Sequence, residues 1–233
     1  MTRHLAIGDI HGCIDALRSL VAFVDLRGSD TVVTLGDYVD RGPDTRSVID
    51  WLIAFGQSSS LVALRGNHDV MMLNARINVS DKLKWGQFGG VETLDSYATE
   101  DNDIPDLDDI PPTHWDFLAR LRPYYETETH IFVHATVAPN TPMDEQTDWS
   151  LYWDRYSERF PGHKSGKFLV CGHKSQDSGL PIGNDSSVCI DTGACKGGWL
   201  SCFCTETGEI WQANEQGETR SMHLDDVNVD ARS

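Results

Sequence analysis

Six side chains attract attention because each follows an apolar run that stops abruptly. Asp9 and His11 come after Leu5-Ala6-Ile7-Gly8, and Asp37 after Thr31-Val32-Val33-Thr34-Leu35-Gly36. Asn67 comes after Leu61-Val62-Ala63-Leu64-Arg65-Gly66, His134 after Ile131-Phe132-Val133, and His173 after Phe168-Leu169-Val170-Cys171-Gly172. Together they offer two carboxylates, three imidazoles and one amide oxygen. That is more than one catalytic metal takes if it is to keep an open position. The set suits two divalent cations sharing one carboxylate. Hard oxygens and imidazoles without a thiolate favour manganese, iron or zinc over copper or an iron–sulfur cluster; manganese is the expected pair.

The neighbouring residues suit phosphate. Asp40 and Arg41 follow Asp37 in Gly36-Asp37-Tyr38-Val39-Asp40-Arg41-Gly42. A guanidinium presents a planar fork that matches two phosphate oxygens. His68 adjoins Asn67 without being needed as a ligand. It is a candidate general acid, oriented by a carboxylate such as Asp40.

The elements that must position these groups follow from the same runs. Short stretches rich in β-branched residues and bounded by Gly read as buried strands. Between the first three lie helical patterns: Ile14, Leu17, Leu20, Val21 and Val24 share one face, and so do Val48, Ile49, Leu52 and Phe55. Pro43-Asp44-Thr45 opens the second helix. The β-α-β-α-β order predicts parallel pairing, and open α/β sheets carry their sites at the carboxyl ends of strands. Further on, Asp101 to Pro112 reads as an acidic surface loop and Trp115 to Leu121 as a short helix. Trp199 to Cys204 and Glu209 to Gln212 read as a hairpin around Thr207-Gly208. Residues 1–214 are expected to form one catalytic domain, and 215–233 a polar, loosely held tail.

The chain of 233 residues carries a net charge of -17. That argues against a nucleic-acid partner, which needs a cationic surface; it does not argue against phosphate, because bound cations reverse the local field. No apolar run approaches the roughly 20 residues that span a bilayer, and no signal peptide fits ahead of Gly8. The six cysteines form no CxxC pair and are read as reduced thiols, so the expected setting is cytoplasmic. A monomer without a membrane partner is expected.

The motifs Gly8-Asp9-Ile10-His11-Gly12, Gly36 to Gly42, Gly66-Asn67-His68-Asp69, Val133-His134-Ala135 and Gly172-His173 together resemble the calcineurin-like metallophosphoesterases. Within these the chain resembles short bacterial members of the phosphoprotein phosphatase family. The resemblance runs from about residue 5 to residue 212, and three motifs at intervals of about thirty residues match one β-α unit each. It implies an α/β fold with a β-sandwich of mixed sheets, built from β-α-β units and flanked by helices. It also implies that Asp9, His11 and Asp37 hold a first metal, and that Asp37, Asn67, His134 and His173 hold a second. Arg41 would grip phosphate, with Arg155 of Trp153-Asp154-Arg155 as a second phosphate-binding residue. His68 would be the general acid, paired with Asp40, in a one-step attack by water activated between the metals. Gly89-Gly90-Val91-Glu92-Thr93-Leu94 resembles a bacterial segment near the substrate groove. Two departures stand out: Ala135 follows His134, where a Gly is usual, and Lys174 follows His173, where Thr is common.

On this basis the expected activity is that of a serine/threonine protein phosphatase. The expected substrate is a phosphoprotein or phosphopeptide, with phosphotyrosine and small phosphoesters as further substrates. The alternatives are a dinucleoside polyphosphate (Ap4A) hydrolase and an inactive relative that binds metal or phosphopeptide. Symmetrically cleaving members usually replace the second Asp of Gly-Asp-x-x-Asp-Arg-Gly, whereas asymmetric cleavers can retain it, so Asp40 favours the phosphatase over symmetrical cleavage. Asp69 is read as a hydrogen-bonding support and Asp191 as a turn residue. His4, His114, His130, His163 and His223 lack motif context and are read as surface residues.

Overall fold

The computed structural model describes residues 2–227. The first three strands, β1 (His4–Ile7), β2 (Thr31–Thr34) and β3 (Ser60–Ala63), pair in parallel with His4 opposite Thr31 and Thr31 opposite Ser60. Two helices make the crossovers. Helix α1 (Ile14–Val24) buries Ile14, Leu17, Leu20 and Val24, which lie on the face read from their spacing. Helix α2 (Thr45–Ser58) buries Val48, Ile49 and Leu52. Asp44 caps α2, its carboxylate accepting the Ser47 N–H at 2.9 Å.

Three further helices, α3 (Asn67–Ala75), α4 (Val79–Trp85) and α5 (Val91–Asp95), follow β3, and α6 (Pro112–Ala119) comes next. Helix α6 starts three residues before the expected Trp115 because Pro112 suits a first helical turn, where its missing N–H is not needed.

The second sheet holds β4 (Tyr124–Glu126), β5 (His130–Val133), β6 (Phe168–Cys171), β7 (Ile182–Asn184) and β8 (Ser187–Cys189) in the order β4-β5-β6-β8-β7. Within it β5, β6 and β8 run parallel. Helix α7 (Asp148–Tyr152) lies between β5 and β6 in sequence. Strands β9 (Leu200–Cys204) and β10 (Glu209–Ala213) form the expected hairpin and return to the first sheet, where β9 lies antiparallel to β1.

The layers follow from the burial pattern. Ala6, Val33, Leu35 and Val62 of the first sheet meet Phe132, Val170, Val188 and Ile190 of the second, so the two sheets share one apolar interior. The other face of the first sheet packs on α1 and α2 through Leu5, Ile7 and Val32. Phe132 is fully buried between the sheets, and its truncation to Ala would cost about 3–5 kcal/mol. The sandwich of mixed sheets with flanking helices is the expected fold class.

Two expectations change. Residues 219–223 are not loosely held: β11 (Thr219–His223) pairs antiparallel with β10, and α8 (Leu224–Val227) follows it. Its polar sequence misleads because an edge strand needs little apolar surface; backbone hydrogen bonds to β10 hold it. The rest of the expected tail, 228–233, lies outside the described residues. His114 and His163 are buried rather than exposed. The His114 ring joins the Tyr97 hydroxyl at 2.8 Å and the Asp50 carboxylate at 3.0 Å, and His163 joins Ser165 Oγ and the Thr141 carbonyl, each at 2.8 Å. All six cysteines are unpaired, and five are buried. Among the described residues no helix is long and apolar enough to cross a membrane.

Candidate metal centre and active site

The carboxyl ends of β1, β2, β3, β5 and β6 point toward one crevice, and the residues that follow them meet there. Asp37 is central. Its Oδ2 lies 3.4 Å from His11 Nε2, and its Oδ1 lies 3.5 Å from His134 Nε2. One carboxylate therefore faces an imidazole on each side. Asn67 Oδ1 lies 2.9 Å from both His134 Nε2 and His173 Nδ1, and those two nitrogens are 3.2 Å apart. Ligand atoms about 2.1 Å from one cation and at right angles to one another stand about 3 Å apart, so this triangle fits a divalent ion.

The tautomers agree. His11 Nδ1 lies 2.7 Å from the Val39 carbonyl, and His134 Nδ1 lies 3.0 Å from the Leu35 carbonyl. Each Nδ1–H donates to that oxygen, which leaves the Nε2 lone pair for a metal, although at His11 that lone pair faces Arg41 Nη1 at 3.2 Å in this structure. Burial pushes His11 down to about 3, with the Arg41 charge adding to the effect. Burial also holds His134 well below the usual imidazole range and His173 below it. Neutral imidazoles are the ligand form. Asp9 and Asp37 are held well above the usual carboxylate range, first by burial and then by neighbouring carboxylates. Cations in the crevice would relieve that repulsion.

Two groups of three converge, each with ligand atoms within 4.8 Å of one another: Asp37 with His134 and His173, and Asp37 with His11 and His68. The second differs from the expected Asp9, His11 and Asp37. Asp9 lies at the crevice, but both its oxygens accept the His173 N–H, each at 3.1 Å. That shared bond draws its carboxylate toward the β6 side.

The backbone is shaped for these positions. Six described residues other than Gly have positive φ, and five of them are His11, Asp37, Asp40, Arg41 and His173. Such conformations cost on the order of 1–3 kcal/mol each and persist where their surroundings hold them. Asp69 does much of the holding: its carboxylate accepts N–H bonds from Asp37 at 3.0 Å, Tyr38 at 3.1 Å and Gly66 at 2.8 Å. A Cβ on Gly66 would stand 2.1 Å from Asp37 Oδ1, so only Gly fits there. Asp191, buried at the end of β8, accepts the Gly193 N–H at 3.1 Å, which makes it the turn residue expected.

His68 Nδ1 lies 2.6 Å from Asp40 Oδ2. The other oxygen of Asp40 accepts from Trp85 Nε1 at 2.8 Å and from Thr93 Oγ1 at 3.0 Å. Burial holds Asp40 well above the usual carboxylate range and His68 well below the usual imidazole range. Trp85 and Thr93 were not read from the sequence as part of the site. Thr93 falls in the segment noted near the groove; Trp85, 45 positions from Asp40, left no local signal. Arg41 Nη1 lies 3.2 Å from His11 Nε2, while Arg155 is exposed and near enough for its charge to act on His173.

This crevice agrees with what comparison of the sequence finds. Residues 2–177 match the model of the calcineurin-like phosphoesterases. The chain belongs to that family. Family membership implies divalent metal ions, and the donors described above fit them. A symmetrical bis(5'-nucleosyl)-tetraphosphatase of Klebsiella pneumoniae (strain 342) is 40% identical to the chain over 94% of this sequence and 96% of its own. Serine/threonine-protein phosphatase 1 of Salmonella typhimurium is 29% identical over 85% and 90%. Against three further symmetrical tetraphosphatases the match spans 27%, 46% and 47% of their length. A solved structure described as a putative diadenosine tetraphosphatase covers 95% of this chain, with 93% of its own chain matched, at a TM-score of 0.64 and 21% identity, which speaks to the fold alone.

These relatives overturn the expected protein-phosphatase activity. The near-full-length relative of higher identity is a tetraphosphatase, and the phosphatase is lower in identity and in coverage. The motifs could not separate the two classes, because they act on the phosphoryl group that both substrates share. Asp40, which symmetrically cleaving members usually replace, is here bonded to the His68 ring at 2.6 Å.

Proposed function

We propose that the protein hydrolyses dinucleoside polyphosphates, cutting a dinucleoside tetraphosphate at its midpoint to give two nucleoside diphosphates. The observation that carries this reading is the 40% identity to a symmetrical tetraphosphatase along nearly the whole of both chains. The crevice supports it by gathering candidate cation ligands and Arg41 at one point of a protein whose net charge is -17.

In this reading Asp9, His11 and Asp37 would hold one cation, and Asp37, Asn67, His134 and His173 the other, with manganese as the expected ion; bound there, the ions would supply positive charge to the phosphoryl oxygens and make water more acidic. Arg41 binds phosphoryl oxygens at the edge of the crevice, and Arg155 meets the phosphate chain on the His173 side. Asp40 fixes the His68 ring through Nδ1 and leaves Nε2 to face the leaving group. A polyphosphate brings negative charge beside His68, which favours its protonated form against burial. The departing nucleoside diphosphate is itself a stabilised anion, so it needs that proton less than an alkoxide does.

The test is product analysis after incubation of manganese-loaded enzyme with diadenosine tetraphosphate. ADP as the sole nucleotide supports the proposal. ATP with AMP would contradict midpoint cleavage, and no turnover would contradict the substrate class.

A further inference from the structure

A cleft of about 400 Å³ opens beside the crevice, bounded at its inner end by Arg41, Asn67 and His68. Its outer part is lined by Phe88 and Trp153, with Met71, Asn74 and Lys84. Phe88 packs into none of the apolar cores and is 52% exposed. Its backbone is nonetheless closely fitted. Gly86–Gly90 joins α4 to α5 across a kink at Gly89, whose φ of +110° is not helical. The Gly89 carbonyl accepts the Arg41 N–H at 3.2 Å, and a Cβ on Gly89 would stand 2.6 Å from Arg41 N. A Cβ on Gly90 would stand 2.4 Å from the Trp85 ring. The two glycines after Phe88 are thus pressed against Arg41 and against Asp40's tryptophan. The turn holds an aromatic ring at the cleft mouth with only its own two side-chain torsions left to order.

We propose that this cleft seats the purine base of a nucleoside phosphate, with Phe88 as its stacking face. The inference rests on the dinucleoside polyphosphate reading and names where one nucleoside goes. An aromatic ring stacks on a base, and the amide of Asn74 presents the donor and acceptor that match the N6/N7 edge of adenine. Lys84 lies on the same wall, paired with Asp81, its Nζ 3.4 Å from Oδ1, so the two charges there offset one another. The phosphate chain then runs inward to Arg41. The cleft on the other side of Arg41, about 420 Å³, has no aromatic lining and carries Glu92, Asp95 and Glu215. Those carboxylates repel phosphate and offer a base nothing to stack on, so the second nucleoside has no equivalent seat there.

The experiment measures binding of ADP and of inorganic pyrophosphate to the manganese-loaded protein by calorimetry, for wild type, Phe88→Ala and Phe88→Trp. Wild type is expected to prefer ADP, and Phe88→Ala to weaken ADP by about tenfold or more while pyrophosphate stays within about twofold, since stacking is felt by the base alone. Phe88→Trp is expected to retain ADP binding. Equal loss of both ligands, unchanged ADP binding in Phe88→Ala, or no preference for ADP in wild type would each overturn the seat. If wild type turns over diadenosine tetraphosphate and ADP binding ignores Phe88, the seat fails alone. If ADP binding depends on Phe88 and diadenosine tetraphosphate is not cut, the substrate reading fails and the base seat stands.

Discussion

His68 Nδ1 and Asp40 Oδ2 are 2.6 Å apart, both almost fully buried, and no other side chain bonds the His68 ring among the described residues. Orientation of the imidazole therefore depends on Asp40. Replacing His68 by Asn is expected to lower kcat by about 10²–10⁴ on an alkyl phosphoester, the usual worth of general acid catalysis. The loss on diadenosine tetraphosphate is expected to be smaller, because its leaving group needs the proton less. Steady-state kinetics on both substrates check this, and equal losses at unchanged metal content would count against the acid role.

Asp37 lies between His11 and His134, one oxygen toward each. Asp37→Asn removes the shared charge, and both metal content and activity are expected to fall together. Elemental analysis after dialysis reads the outcome. Retention of two tightly bound metals would sink the bridging role.

Gly89 touches Arg41 closely enough that a single added carbon must move one of them. Its φ of +110° also disfavours any side chain. Gly89→Ala is expected to displace Arg41 and to cost roughly 10–100-fold in kcat/KM, as misplacement of a positioning group does. Unchanged kinetics would show that the Arg41 position does not depend on this turn.

Arg3 and Asp30 form a pair far from the crevice in which two guanidinium nitrogens meet the two carboxylate oxygens at 3.1 and 2.5 Å. Their side chains are 9% and 2% exposed. The hydrogen bond from Arg3 holds the Asp30 carboxyl below the usual range. In the unfolded chain that carboxyl titrates near about pH 3.9. The unfolded state therefore takes the proton first, so the pair's stabilisation is intact above about pH 4 and is lost as pH falls through the folded value. Asp30→Asn is expected to cost about 3 kcal/mol near neutrality, because it leaves Arg3 buried without its charge partner. The difference should shrink in acid. Urea unfolding at two pH values checks it, and a pH-independent difference would contradict the account.

Much of this was legible in the sequence because each candidate ligand closely follows a short strand, where an apolar run gives way to a polar side chain. Asp9, His11, Asp37, Asn67, His134 and His173 come together for that reason. The α3–α5 region was less legible. Trp85 and Thr93 reach Asp40 across 45 and 53 positions, and only folding reveals such contacts. The edge strand Thr219–His223 was misread as tail because its stability comes from main-chain pairing that composition does not record. Substrate class was misread for a different reason: the motifs encode the phosphoryl group, whereas the nucleoside would be read by side chains such as Phe88 that belong to no motif.

The most direct measurement is the ratio of kcat/KM for diadenosine tetraphosphate to that for a phosphoserine peptide, taken on one manganese-loaded preparation. The account predicts that the dinucleotide is preferred by at least about tenfold, with ADP as its product. Preference for the peptide, or no turnover of the dinucleotide by enzyme carrying two metals, would contradict it.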